Sequence, residues 1–346
     1  MLIDLHAHTI TAGMMEQDPK WGPFYDVDER GQARLRIGDW RLGLTTKERK
    51  QALTQGVKEV SGKVTEQRFG SAKRIDEMDA AGVDKLVVSP PAHCFMYHTD
   101  PEFNIRYATV ANEELAAYCG DHPDRLYFWA HLPMQAPEAA AKELDRAVTH
   151  LGAKGAALGG ANFGGYEFDS RELYPVWDKV CELEVPVFVH GYNQSVTWGA
   201  AASTERYDIT SVVGMCHDES SCFWNLVCGG VLDDFPGMKV YITHGGGYVP
   251  YQLGRFAGCN DVLDDAKNKK PLREYLPNFY FDPYVHHPSM RQAIVDVIGA
   301  DQLVYGDNFQ GSDGLREQLT DGLDLTDADR DKIRYKNAAA LLKLNV

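Results

Sequence analysis

The first residues of the chain that could do chemistry are two histidines, His6 and His8, which end an apolar N-terminal segment. In a β-strand the side chains of residues i and i+2 point to the same face, so the two imidazoles would project side by side. Two imidazoles held in this way can bind one metal ion. A His-x-His pair also occurs by chance, and its meaning depends on what the rest of the chain supplies.

Similar polar residues follow other apolar segments further along the chain. The histidines are His131, His190 and His244, and the acids are Asp282 and Asp307. A single histidine after an apolar segment is usually structural. Several of them at successive strand ends, with an acid, indicate a metal site, and histidine with carboxylate suits zinc, manganese or iron.

Eight short apolar segments are predicted to be the strands that position these residues. They cover residues 2–6, 85–89, 126–131, 155–158, 187–190, 240–244, 279–282 and 303–306. Helical periodicity fills most of the intervals, at 72–81, 105–119, 137–151, 171–183, 220–233, 248–256 and 289–298. Alternating strands and helices predict parallel β/α units, and eight such units close into a (β/α)8 TIM barrel, whose chemistry lies at the carboxyl ends of the strands. An open doubly wound sheet is the alternative, but no GxGxxG follows any strand.

Composition narrows the class of protein. The chain has 346 residues, 44% hydrophobic residues and a net charge of −15, which argues against nucleic acid and anionic membranes as partners. No segment reads as a membrane span or signal peptide, and the seven cysteines contain no CxxC. We therefore expect a cytoplasmic protein with reduced thiols and a small-molecule substrate.

The connection after the first strand is unusually long. Residues 9–71 far exceed a normal βα loop and carry Trp21, Phe24, Tyr25 and Trp40. In a barrel this insertion follows strand 1 at the catalytic face. We interpret it as a lid or subdomain within one domain spanning residues 1–346, with a packing or dimerisation arm as the alternative.

Several segments, in order along the chain, resemble the amidohydrolase superfamily, and most closely its amidohydrolase-related branch, which is similar to aminocarboxymuconate-semialdehyde decarboxylase. Besides His6-Ala7-His8 and His190, they are residues 74–83, 132–137, 172–176, 229–236, 243–247 and the dipeptide Gly254-Arg255. The resemblance covers most of residues 1–10 and 70–310. It implies a barrel that holds one divalent metal ion, Zn²⁺ or Mn²⁺.

The resemblance also implies roles for individual residues. The metal ligands would be His6, His8, His190 and an acid after strand 8, for which we take Asp307. His244 would be the neighbouring acid or base, acting with Asp307, although it could instead cap the glycine turn that follows it.

Further residues are candidates for substrate contacts. Arg255 could bind a substrate carboxylate, form a structural ion pair or reach across a dimer interface. Tyr192, Asn193, Trp198 and His286 follow strands 5 and 7 and could line the pocket. The family implies a homodimer or higher homo-oligomer.

The sequence departs from the family pattern after strand 8. The family has Gly-Thr/Ser-Asp there, whereas this chain has Gly306-Asp307-Asn308. Strict alignment therefore puts Asn308 at the ligand position, and in a regular strand Asp307 faces the other way. A bulge can re-aim a side chain, so Asp307 remains the predicted ligand and Asn308 a predicted substrate contact.

The resulting hypothesis is a metal-dependent, non-oxidative decarboxylase of an aromatic or conjugated unsaturated carboxylic acid. The alternative is a hydrolase or hydratase that acts on an amide, lactone or enone with the same site. A third possibility is a barrel that binds a metal without catalysis. The small anionic substrate itself is not identified by the sequence.

Overall fold

The computed structural model describes residues 1–27, 33–38, 40–43, 70–192, 209–309 and 318–346. Its strands are β1 (Ile3–His8), β2 (Phe24–Val27), β3 (Ala33–Ile37), β4 (Trp40–Gly43), β5 (Lys85–Ser89), β6 (Leu126–Phe128), β7 (Ala130–His131), β8 (Ala156–Gly159), β9 (Val187–His190), β10 (Val240–Ile242) and β11 (Phe279–Phe281). The α-helices are α1 (Ser71–Ala81), α2 (Pro101–Gly120), α3 (Pro137–Leu151), α4 (Tyr174–Leu183), α5 (Met215–Cys228), α6 (Val231–Asp234), α7 (Val249–Asn260), α8 (Pro288–Ile298), α9 (Asp327–Asp331) and α10 (Asn337–Leu342).

The parallel strands run around a ring. β1, β5 and β6 pair in that order, and β7 to β11 pair consecutively in a second sheet. β6 and β7 act as one barrel strand, because the amide of Trp129 between them donates to Val88 O at 2.9 Å while that of Ala130 donates to Gly155 O at 2.8 Å. Consecutive pairing of parallel strands is the arrangement that the alternating pattern predicts.

The segment 303–309 closes the ring between β11 and β1. On one side the amide of Val304 donates to Phe281 O at 2.9 Å. On the other side Leu5 N donates to Tyr305 O at 3.0 Å. The protein is therefore a (β/α)8 barrel, and the predicted fold class is confirmed.

Some element bounds differ from the predictions. β1 extends to His8, and its pairing with β5 shifts register between Asp4 and Ala7. β10 ends at Ile242, because the chain turns at Thr243 into a short 3-10 turn that starts at His244. Polar residues at the start of α5 hid its first turn from the sequence pattern.

Aromatic side chains fill the barrel below the strand ends. Phe188 shares the inward face of β9 with His190, two residues later. Its ring stacks on Trp129 at 5.5 Å and contacts Tyr241 at 5.5 Å. Trp129 also donates from Nε1 to Leu5 O at 3.0 Å. This fully buried aromatic layer forms a rigid floor under the polar residues.

The described part of the long insertion contains an antiparallel meander of β2, β3 and β4. It lies against the loop that follows β5. Trp21 Nε1 donates to Asp100 Oδ2 at 2.9 Å, and the Trp21 ring lies 5.9 Å from that of His98. Residues 28–32, 39 and 44–69 of this insertion lie outside the described residues. Across the described ranges, no helix combines the length and apolarity needed to cross a membrane.

Candidate metal centre

Four histidine rings meet at the carboxyl ends of three barrel strands. β1 contributes His6 and His8, β9 ends at His190, and His244 follows β10. The centroids of five ring pairs in this cluster lie 4.7 to 5.3 Å apart, mostly edge to face. The parallel sheet thus brings together residues that are up to 238 positions apart (244 − 6).

The nitrogens of this cluster fit a divalent metal ion. Nε2 of His8 lies 3.2 Å from Nε2 of His190, and His6, His190 and His244 each offer a ligand atom within 4.8 Å of the other two. Two nitrogens bound at about 2.0–2.1 Å to one tetrahedral ion stand about 3.3 Å apart. Burial, followed by the charges of neighbouring histidines, lowers the pKa of His8 and of His190 well below the ordinary range. Both rings are therefore neutral, as metal ligands must be.

Uncharged groups orient the rings of His8 and His190 through contacts at Nδ1. Nδ1 of His8 lies 3.0 Å from Ser89 Oγ, and Nδ1 of His190 lies 2.8 Å from Gly191 O. A hydrogen bond at one ring nitrogen fixes the tautomer and directs the other nitrogen. In both rings it is Nε2 that faces the centre of the cluster.

A buried carboxylate, Asp282, lies beside His6. Its Oδ2 is 3.6 Å from His6 Nδ1 and accepts a hydrogen bond from the Tyr241 hydroxyl at 2.7 Å. Its Oδ1 accepts from the amides of Gly245 and Tyr284 at 2.8 and 3.2 Å. Burial is the main cause that raises the pKa of Asp282 to about 6.

A second buried carboxylate, Glu219 on α5, lies beside His244. Its Oε1 is 2.6 Å from His244 Nδ1 and also accepts from the Thr243 hydroxyl at 2.8 Å and from Gly191 N at 3.0 Å. Sequence reasoning missed Glu219, because a position within a helical segment does not show that the side chain reaches a histidine 25 residues away. The available signal was Asp218-Glu219 near the start of a largely apolar helical segment.

Strained backbone surrounds His244. This residue has φ of 50°, which side chains rarely adopt, and Gly245, Gly246 and Gly247 follow with φ of 68°, 74° and 61°. A Cβ at Gly246 would collide with the Phe281 ring. The glycine run is therefore required by a tight turn, which presents His244 to the cluster.

The two residues after Gly306 have different surroundings. The Asp307 carboxylate lies beside Tyr305, whose hydroxyl is 3.5 Å from Oδ2, and beside Asp4. Burial and the nearby Asp307 charge raise the pKa of Asp4 well above the ordinary range. Oδ1 of Asp307 is buried and accepts no hydrogen bond from the described residues. Asp307 is not among the residues whose ligand atoms group with those of the histidines.

Asn308 has φ of 54° and is 7% exposed. Its left-handed backbone interrupts the alternation of a regular strand, and the next amide, Phe309 N, donates to His6 O at 2.9 Å. Asn308 therefore occupies a buried turn beside β1, next to the histidine cluster.

The residues predicted to contact the substrate lie in several different places. Tyr192 is buried, and with Tyr97, His98 and Asn162 it lines a cavity of about 520 Å³. Its hydroxyl lies 2.8 Å from His98 Nδ1. His286 is exposed, with its ring 5.6 Å from Tyr284.

Arg255 is exposed on α7 and forms no ion pair with an acid of the described residues. Asn193 and Trp198 lie outside those residues. His131 is buried inside the barrel wall, where its Nε2 lies 2.9 Å from Asn104 Oδ1. His131 is thus held by a structural contact.

Comparison with known sequences identifies relatives. The profile of the amidohydrolase family matches residues 3–344. A 2-amino-3-carboxymuconate-6-semialdehyde decarboxylase of Dictyostelium discoideum is 28% identical over 68% of this chain, and the alignment spans 65% of that protein. A gamma-resorcylate decarboxylase of a Rhizobium species is 27% identical over 79% of this chain and 86% of its own length. A 2-keto-4-carboxy-3-hexenedioate hydratase of a Sphingobium species is 29% identical over 73% of this chain and 76% of its own length.

Comparison with solved structures agrees with the fold. A dihydroxybenzoic acid decarboxylase from a Polaromonas species, solved with bound manganese and the inhibitor 2-nitroresorcinol, superimposes with a TM-score of 0.77. The match covers 100% of this chain and 97% of that one, at 23% identity. The barrel is thus an architecture that this solved structure shares.

Proposed function

Because the chain belongs to the amidohydrolase family, we propose that it is a metal-dependent, non-oxidative decarboxylase of an aromatic or conjugated unsaturated carboxylic acid. The observation that carries this proposal is the cluster of His6, His8, His190 and His244 at the strand ends. The names of the relatives agree, since two of the three are decarboxylases of such acids.

The metal in this proposal is Mn²⁺ or Zn²⁺, held by His6, His8, His190 and the Asp307 carboxylate. A bound divalent ion would polarise the substrate's carboxylate and the neighbouring oxygen. The pair of Nε2 atoms 3.2 Å apart supports two of these ligands, and the buried Oδ1 of Asp307 supports the acid. Ligation by Asp307 requires its carboxylate to turn from Tyr305 towards His6.

The proposed reaction breaks the bond between the carboxylate carbon and the substrate carbon, releases CO2 and adds a proton to the substrate carbon. His244 is the proposed donor of that proton, with Asp307 as its partner in proton transfer. Arg255, from the same or a second copy of the chain, would bind an anionic group of the substrate. Tyr192, Asn193, Trp198, His286 and Asn308 are the remaining proposed contacts.

The test is a panel of hydroxybenzoates, muconates, lactones and enones given to manganese-loaded and zinc-loaded protein. We expect CO2 release from at least one acid, and its abolition by a chelator. Opening of a lactone or hydration of an enone, with ¹⁸O from water in the product and no CO2, would overturn the proposal. That result would favour the second candidate, a hydratase or hydrolase, which the Sphingobium relative supports.

The roles of the histidines have separate readouts. We expect His244→Ala to keep its metal and to lose most turnover, because the proton donor is removed while the ligands stay. Metal content by mass spectrometry and CO2 release by a coupled assay measure the two properties. Near-normal turnover of this variant would contradict the role of His244.

We also propose a cytoplasmic homodimer or higher homo-oligomer in which residues 9–71 cover the site. The contacts of Trp21 with Asp100 and His98 support this position of the insertion. Light scattering of the purified protein should give at least twice the mass of 38.6 kDa, and a monomeric mass would refute the proposed assembly.

A further inference from the structure

We propose that Glu219 is a positioning residue for His244: its carboxylate holds the imidazole in the tautomer with hydrogen on Nδ1 and the lone pair on Nε2. This inference deepens the proposed function and rests on it, because there His244 carries the transferred proton. It adds a residue from α5 to a site otherwise built from strand ends and their loops.

The contacts of one oxygen make the argument. Oε1 of Glu219 lies 2.6 Å from His244 Nδ1, 2.8 Å from the Thr243 hydroxyl and 3.0 Å from Gly191 N. This oxygen already accepts from a hydroxyl and a backbone amide, so it is an acceptor towards the ring as well. A hydrogen bond across the 2.6 Å contact therefore requires Nδ1 of His244 to be the donor. The neutral ring then has its lone pair on Nε2, where it would take up from solvent the proton that it afterwards donates to the substrate carbon in the proposed reaction.

The location of His244 explains the need for this support. It lies outside β10, at φ of 50° and before three glycines, so no strand pairing fixes its ring. Glu219 lies on α5, a helix of 14 residues, and is 0% exposed. The same oxygen also binds Gly191, next to His190, so one carboxylate ties the turn of His244 to the end of β9.

A purely structural role explains the carboxylate less well. Burial of an ionised group costs several kcal/mol, and buried polar atoms in stable interiors are nearly all hydrogen-bonded. Oε2 of Glu219 is buried and has no hydrogen-bond partner among the described residues. A buried carboxylate with one oxygen unsatisfied therefore needs an explanation other than packing, and a role at the site is one.

The experiment compares Glu219→Ala and Glu219→Gln with Glu143→Gln. Glutamine keeps an acceptor oxygen, whereas alanine has none. Glu143 is a buried acid on α3, outside the cluster of His6, His8, His190 and His244; its Oε1 accepts from Asn112 Nδ2 at 2.6 Å and from Arg146 Nη2 at 2.9 Å. We expect Glu219→Ala to lower kcat about 10- to 100-fold, with little change in KM or metal content. Glu219→Gln should recover most of this loss, and Glu143→Gln should keep the wild-type kcat.

A double-mutant cycle separates positioning from general damage. If Glu219 acts through His244, removing Glu219 from the His244→Ala variant should lower the residual rate no further. An equal loss in both backgrounds would overturn the proposal. So would a kcat of Glu219→Ala within about threefold of wild type, equal losses with Ala and Gln, or a fall in metal content that accounts for the lost rate.

A spectroscopic experiment tests the tautomer of His244 without any substrate. Long-range ¹H–¹⁵N spectra of zinc-loaded, histidine-labelled protein report the tautomer of each ring, with His244 assigned by its loss in His244→Ala. We expect the Nδ1–H form of His244 in wild type and in Glu219→Gln, and a changed pattern in Glu219→Ala. An unchanged pattern in the alanine variant would refute the role of Glu219. If wild type decarboxylates nothing, the proposed function fails, and these spectra still decide the tautomer.

Discussion

Arg74 offers the sharpest test of how the barrel holds its metal-binding strands. This residue of α1 is 1% exposed, and its guanidinium links the ends of two neighbouring strands. Nη2 donates to His8 O at 2.9 Å, and Nη1 donates to Phe309 O at 3.3 Å. Methionine would keep most of the buried volume and would remove both hydrogen bonds.

The expected magnitude follows from these two contacts. A hydrogen bond from a charged donor contributes about 1.5–3 kcal/mol, and a buried carbonyl left without a donor adds a desolvation cost. The contact to Phe309 is longer, so we assign it the lower value of this range. We therefore expect Arg74→Met to lower the free energy of unfolding by about 3 kcal/mol. A typical domain has only about 5–15 kcal/mol in total. Because the carbonyl belongs to His8, we also expect metal affinity to fall about 10-fold.

The assay is urea unfolding at a fixed metal load, combined with competitive metal titration. Arg125→Met is the control, since Arg125 donates to Asp84 O at 2.6 Å and Val83 O at 3.0 Å at the opposite end of the barrel. Its side chain is 33% exposed, so we expect a loss of about 1 kcal/mol and an unchanged metal affinity. If Arg74→Met matched this control in both measurements, the reasoning would be wrong.

Three further substitutions test the proposed ligand His190 and the packing of the barrel around the site. His190→Ala should lose most of its bound metal by mass spectrometry, because it removes a proposed ligand, and full occupancy would contradict that assignment. Tyr241→Phe should lower the free energy of unfolding in urea by about 1–3 kcal/mol, because it removes the hydroxyl that donates to buried Asp282 at 2.7 Å. An unchanged free energy would mean that this contact does not stabilise the fold. Gly306→Ala should lower the free energy of unfolding by about 1–3 kcal/mol in the same assay, because the added Cβ meets the Tyr241 hydroxyl and comes within 2.9 Å of His6 Cβ. Wild-type stability of this variant would show that the barrel relaxes around the added methyl group.

The barrel was predictable because its strands are short, apolar and separated by helices. The same regularity placed His6 and His190 at strand ends, where parallel strands converge whatever their distance in sequence. Period-two alternation then put His6 and His8 on the same face of their strand. These inferences needed only local pattern and the closure of eight units.

The surroundings of the histidines were less predictable. Glu219 reaches His244 from a helix, and no local pattern reports a contact across 25 residues. Asp307 and Asn308 posed a different problem, because the side on which each lies depends on the backbone. The φ of 54° at Asn308 breaks the alternation on which a strand argument relies. Asn193 and Trp198 stay predictions.

The groups behind the four rings argue that the histidines have unequal roles. His8 and His190 are oriented by a hydroxyl and a backbone carbonyl, which give a ring no opposing charge, and their low pKa suits neutral ligands. His244 instead has its Nδ1 2.6 Å from the buried Glu219 carboxylate, a shorter contact than the 3.6 Å between His6 Nδ1 and Asp282 Oδ2. A hydrogen bond at Nδ1 leaves Nε2 of His244 to face the cluster, which supports its proposed role in proton transfer, while the neutral His8 and His190 suit the proposed role of ligands. His244, the proposed proton-transfer ring, thus differs from His8 and His190 in having a carboxylate on a helix at its Nδ1.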